Sequence, residues 1–154
     1  MATALGFRAT DKEVFWAVVE GTVQQPILRA TDKLVFPVSF DFYDSLPWCR
    51  ERVRQLVDAY TPSVAAVRKP EGQARIEDES SRSRLRVEGV LLEALRSKNV
   101  PVELCMLANI AKLMSLGNAK DAKEQLSRHD CRGLDWKGYG PNSKEAILVG
   151  ACVL

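Results

Sequence analysis

Apolar and polar positions alternate through the first part of the chain and then change to a three-and-four spacing. Residues 3–8 read as a short strand, and residues 13–20 (EVFWAVVE), rich in β-branched and aromatic side chains, read as a second. Residues 9–12 (ATDK) supply the turn between them, and Gly21 ends the second strand. After a polar interval, residues 34–38 predict a third strand. Three sequential strands with short connections imply an antiparallel meander. The octapeptides RATDKEVF (8–15) and RATDKLVF (29–36) differ at a single position. They are too short and too few for a repeat architecture, and read as one turn-and-strand solution used twice.

Helical spacing begins with Leu46, Cys49, Val53, Leu56, Val57 and Tyr60, which predict an amphipathic helix with Pro47 in its first turn and Thr61-Pro62 at its end. Residues 63–67 form a short apolar strand of the kind covered by helices on both faces. A polar loop over 68–81, whose composition suggests mobility, leads to a helix with Val87, Val90, Leu91, Ala94 and Leu95 as its apolar stripe. Gly89 on that helix is expected to permit close helix–sheet approach. Residues 102–106 predict a fifth strand. Residues 109–116 predict a short helix closed by Gly117, and Asn118 caps another that runs to about Arg128. A glycine-rich loop over 130–141 precedes a final helix from Asn142, where Asn142 and Glu145 match a capping box. Three strands followed by alternating helices and strands predict an α/β fold with a mixed sheet, one domain over 1–154.

Composition narrows the class. Hydrophobic residues make up 46% and charged residues 27%, as in globular proteins. The longest uncharged apolar run, residues 146–154, falls far short of the ~20 residues that cross a bilayer. Arg8, Asp11 and Lys12 interrupt the start before any signal-peptide pattern forms, so no membrane role and a cytoplasmic location are expected. Cys49, Cys105, Cys131 and Cys152 lack CxxC spacing and read as free thiols packed as small hydrophobes. His129 and Cys131 lack the second ligand pair that a zinc site requires. With one histidine and no Gly-x-Ser-x-Gly elbow, a serine-hydrolase triad is not supported. The net charge of +2 does not by itself argue nucleic-acid binding. Arg82, Arg84, Arg86, Arg96 and Lys98 outnumber Glu88 and Glu93 after the acidic cluster Glu77-Asp78-Glu79, an alternation typical of solvated surface.

This element order is that of the ribonuclease-H-like fold, and within it the chain resembles the RuvC-like Holliday-junction resolvase branch. The resemblance covers almost the whole chain. It rests on Leu5-Gly6-Phe7, Trp16-Ala17-Val18-Val19-Glu20, Tyr60-Thr61-Pro62 before Val64-Ala65-Ala66-Val67, Asn99-Val100-Pro101-Val102, and Gly117 with Lys123, Gln125 and Leu126. It implies a five-stranded mixed sheet in the order 3-2-1-4-5, with residues 64–67 parallel to residues 3–8. The family places an Asp late in the first strand, a Glu at the end of the fourth, and two Asp three apart on the last helix. These acids hold two divalent cations that activate water.

The positions matched here are Arg8, Arg68, Asn142 and Glu145, so one carboxylate of four remains. Guanidiniums stay protonated and offer no acceptor, so no metal is expected and family-type catalysis is not. Magnesium would be a cofactor only for a nuclease with relocated acids, such as Asp11 or Glu71. The anion-binding candidates are Arg8, Arg68, Lys69, Arg82, Arg84, Lys123 and Trp136, the last in a loop that also carries Lys137 and Tyr139.

Three functions stay open: a non-catalytic binding module for DNA or RNA, a divergent metal-dependent nuclease, and a protein-interaction subunit with a protein partner or a second copy. Arg8 and Arg68 should project from neighbouring strand ends. They would be balanced either by Glu145 or an acid of the 77–79 cluster, or by an external oxyanion.

Overall fold

The computed structural model describes residues 1–71 and 78–154. Its main sheet has β1 (Ala2–Ala9), β2 (Glu13–Gly21), β3 (Pro26–Val35), β4 (Val64–Arg68) and β5 (Val102–Cys105) in the order β3-β2-β1-β4-β5. β1 runs antiparallel to β2 and parallel to β4, as the meander and crossover pattern implied. Leu5, Phe7 and Ala9 of β1 pack with Val14, Trp16, Ala65 and Val67 beneath α1 (Phe42–Tyr60) and α2 (Glu79–Ser97). Ala17, Val19 and Ala66 face the opposite layer, built on α5 (Pro141–Cys152). The strict alternation of strand side chains thus feeds two cores from one sheet.

α3 (Leu107–Leu113) and α4 (Ala119–Leu126) cover α5 from outside, so residues 146–152 are buried on every side. That explains the long apolar run: the helix lies within the domain core. Its contact with the sheet is set by a glycine pair. A Cβ on Gly6 would lie 2.6 Å from the Gly150 amide nitrogen, and one on Gly150 would lie 3.1 Å from the Gly6 nitrogen. Gly89, expected to make the close approach, is exposed, with nothing within 4 Å of a built Cβ. All four cysteines are buried and free.

Several boundaries differ from the sequence reading. β3 spans Pro26–Val35 rather than 34–38, because its backbone bonds to β2 even where its side chains are polar. α1 begins at Phe42, four residues early, because the Asp41 side chain accepts from the Asp44 amide at 2.8 Å. Pro47 therefore lies past the first turn. Asp78 caps α2 in the same way, accepting from the Ser81 amide at 2.6 Å. Residues 72–77 of the expected polar loop lie outside the described residues. The 130–141 loop holds a small hairpin, β6 (Asp130–Cys131) with β7 (Leu134–Asp135).

Candidate functional site

Gly6 and Ala66 are register partners in the parallel β1–β4 pair. Arg8 and Arg68 lie two residues further along, so both side chains leave neighbouring strand ends on the face covered by α5. Glu145, in the second turn of α5, sends one oxygen between them: Oε2 lies 2.7 Å from Arg8 Nε and 3.7 Å from Arg68 Nε. Arg68, only 5% exposed, also meets Glu71 Oε1 at 2.8 Å through Nη2 and donates to the Lys69 carbonyl through Nη1. The same Glu71 oxygen accepts from the Leu107 amide at 3.2 Å and so anchors the start of α3.

α2 closes the cluster with Arg84 and Glu88, whose Nε and Oε1 lie 3.8 Å apart. Glu88 is 5% exposed, and burial pushes its carboxyl above the ordinary glutamate range against the opposing pull of Arg84, Arg8, Lys69 and Arg68. Burial likewise lowers Arg8, with Glu145 opposing and Arg68 and Arg84 adding to the effect. Four cations, Arg8, Arg68, Lys69 and Arg84, thus share one field with Glu71, Glu88 and Glu145.

Hydrogen bonding in this cluster is incomplete. Among the described residues, the buried side-chain polar atoms without a hydrogen-bond partner are Arg8 Nε and Nη1, Arg68 Nε, Arg84 Nε, Glu88 Oε1, Glu145 Oε2 and, elsewhere, Trp16 Nε1. Opposite charges are close but poorly aligned, so these buried donors and acceptors lack a matched hydrogen bond. A divalent cation does not fit here. Two guanidiniums flank the one carboxylate that approaches both strand ends, and neither can ligate a metal. Among the described residues no three His, Cys, Asp or Glu side chains are grouped to hold an ion.

The other candidates divide. Glu145 does not cap its helix: Gly140 is the N-cap, Pro141 opens the helix, and the Glu145 carboxylate turns to the arginines instead. Asn142 is half-buried one turn before it. From the acidic cluster, Asp78 caps α2 and Glu79 pairs with Arg82 and Arg86, so neither balances the site, and Glu77 lies outside the described residues. Arg82 is exposed, and among the described residues no ion pair or hydrogen bond ties exposed Lys123 to the cluster. Trp136 cannot stack on a base. It is fully buried, and its Nε1 donates to the Arg128 carbonyl at 2.8 Å. The sequence reading missed Glu88 as a member of the site. The available signal was a carboxylate in line with Leu91 and Leu95 on the apolar stripe of α2.

No protein-family model and no curated protein sequence matches the chain. Solved structures do match. RuvC of Thermus thermophilus superposes with a TM-score of 0.78 at 16% identity over 97% of this chain and 92% of that one. The same organism's RuvC in complex with a Holliday junction substrate gives 0.77 at 14% identity over 99% and 92%. The yeast mitochondrial Holliday junction resolvase gives 0.61 at 14% identity over 98% and 77%. The chain has the RuvC-like form of the ribonuclease-H-like fold, with an arginine cluster at the joined ends of its first and fourth strands.

Proposed function

We propose that this chain is a non-catalytic RuvC-like binding module that holds the phosphate backbone of a nucleic acid directly with guanidinium groups. The observation that carries it is the placement of Arg8 and Arg68 on adjoining strand ends around a single Glu145 oxygen, with donors left unsatisfied. Arginine forks match phosphate oxygens bidentately, and a phosphate would complete hydrogen bonds that the internal carboxylates leave misaligned. Lys69 and Arg84 extend the same positive field, while Glu145 competes with the ligand and sets its affinity.

The test is fluorescence anisotropy with single-stranded DNA, RNA, duplex and four-way junction over a salt series, paired with magnesium and manganese cleavage assays. The expected result is binding that weakens steeply with salt, without cleavage. Cleavage that disappears in Glu145→Ala would establish the nuclease reading. Absence of binding to every probe would favour a protein partner. That last reading has one observation behind it: Val35, Val38, Phe40 and Tyr43 are exposed within one short apolar stretch.

Glu88 gives the binding a pH signature. It lies 3.8 Å from Arg84 on its own helix and feels the charges of Arg8 from β1 and of Arg68 and Lys69 at the end of β4. Its folded pKa is raised, so its contribution to stability is full below the ordinary value of 4.5 and is lost as pH rises through the folded value. Protonation removes one negative charge from the cluster, so nucleic-acid affinity should rise as pH falls through that window. Glu88→Gln should raise affinity at pH 7 by roughly three- to tenfold, the effect of one screened charge at short range, and flatten the pH profile. An unchanged profile in this variant would remove Glu88 from the binding field.

A further inference from the structure

Beside the arginine cluster, on the same face of the sheet, is a cavity of about 390 Å³, within the range of small-ligand sites. Its lining includes Phe15, Asp32, Lys33, Tyr139 and Ser143. We infer that this cavity is a seat for one unstacked base of a single-stranded nucleic acid whose backbone crosses Arg8. The inference rests on the nucleic-acid reading above and adds the class of strand that the module prefers.

The position follows from register. Phe15 is the β2 partner of Arg8, about 4.8 Å across the sheet, and Ser143 lies two residues before Glu145 on α5. The cavity therefore begins next to the Arg8–Glu145 pair, close enough for a base whose own phosphate rests on Arg8. Its chemistry suits a base better than a second phosphate. Phe15 and Tyr139 supply aromatic surface, and Tyr139 is 41% exposed although its loop neighbour Trp136 is fully buried. Lys33 stands over the Phe15 ring, 5.6 Å from its centroid, and its charge is engaged by Glu13 at 3.3 Å. Lys33, the cation in the lining, is thus already paired, and an anion entering the cavity gains little from it. A neutral base instead finds the Ser143 hydroxyl for either edge. Stacking on such rings is tolerant of sequence, and it requires a base that is free of its duplex partner.

The test uses the full chain and a single-stranded oligonucleotide carrying 2-aminopurine, whose fluorescence falls when it stacks on a ring. The wild type and Tyr139→Phe should quench the probe on binding. Tyr139→Ala should lose the quench and bind single strands roughly tenfold more weakly, with duplex affinity unchanged. Because Tyr139 is exposed, truncating it leaves the fold intact. If Tyr139→Ala binds and quenches like the wild type, the base seat is wrong while the nucleic-acid reading stands. If no oligonucleotide binds any variant, both fall together.

Discussion

Replacing Arg8 and Arg68 together by glutamine is expected to weaken nucleic-acid binding by roughly 100-fold in moderate salt and to lower the log–log salt slope by about two. Each guanidinium offers a charge-assisted hydrogen bond to phosphate, worth about 1.5–3 kcal/mol, and each releases about one counterion. Glutamine keeps the stem packing and an amide donor but removes the charge. The complication is stability. Arg68 is nearly buried and is held by both Glu145 and Glu71, so removing it leaves a buried carboxylate unbalanced, at about 3–5 kcal/mol.

A triple variant that adds Glu145→Gln restores the balance between the strand ends and separates folding from binding. It should fold better than the double variant and still bind as weakly. Glu145→Gln alone should do the opposite on both counts, lowering stability and raising affinity, because it frees two guanidiniums from their internal competitor. Wild-type affinity and salt dependence in the folded triple variant would assign Arg8 and Arg68 a structural role only.

Gly6→Ala should lower stability by more than about 4 kcal/mol, a drop of roughly 10 °C or more in Tm, measured by circular dichroism melting. The new methyl would lie 2.6 Å from the Gly150 nitrogen and 2.8 Å from its Cα, and closer still to the Ala146 carbonyl oxygen. All three atoms are backbone, so no side chain can swing away. α5 itself cannot retreat, because α3 and α4 back it and its residues 146–152 are buried throughout. The same helix carries Glu145, so any shift large enough to admit the methyl also separates Glu145 from Arg8 and Arg68. Gly89→Ala is the control. In an exposed helix interior with open space around it, this change should stabilise by up to about 1 kcal/mol. A Gly6→Ala variant that melts with the wild type would mean the two layers are more loosely joined than this contact requires.

Element order and strand order were legible in the sequence, whereas Arg8 and Arg68 were singled out only by the family resemblance. β1 and β4 are apolar on both faces, which only a central strand can be, and a strand–helix–strand crossover has one favoured hand. The observed β1–β4 register then brings Arg8 and Arg68, each two residues beyond the paired Gly6 and Ala66, to adjoining ends. Burial of individual side chains was not legible in the same way. Trp136 in a loop and Glu88 on a helix are local choices whose surroundings come from residues far along the chain, the core cluster that includes Ala17, Val19 and Ala66 in one case and the β1 and β4 ends in the other.

The repeated octapeptide makes the division plain. Arg8 to Phe15 forms a hairpin, in which Thr10 Oγ1 accepts from the amides of Lys12 and Glu13 at 3.2 and 3.1 Å. Arg29 to Phe36, alike at every position but one, makes no such turn: Arg29 sits at a β-bulge, residues 30–35 pair with β2, and Thr31 Oγ1 donates across to the Trp16 carbonyl at 2.8 Å. Local residue preference allows the threonine either bond. Tertiary structure decided between them, because in the second copy an edge of β2 stood ready to pair with the backbone, and a turn there would have left that edge unbonded.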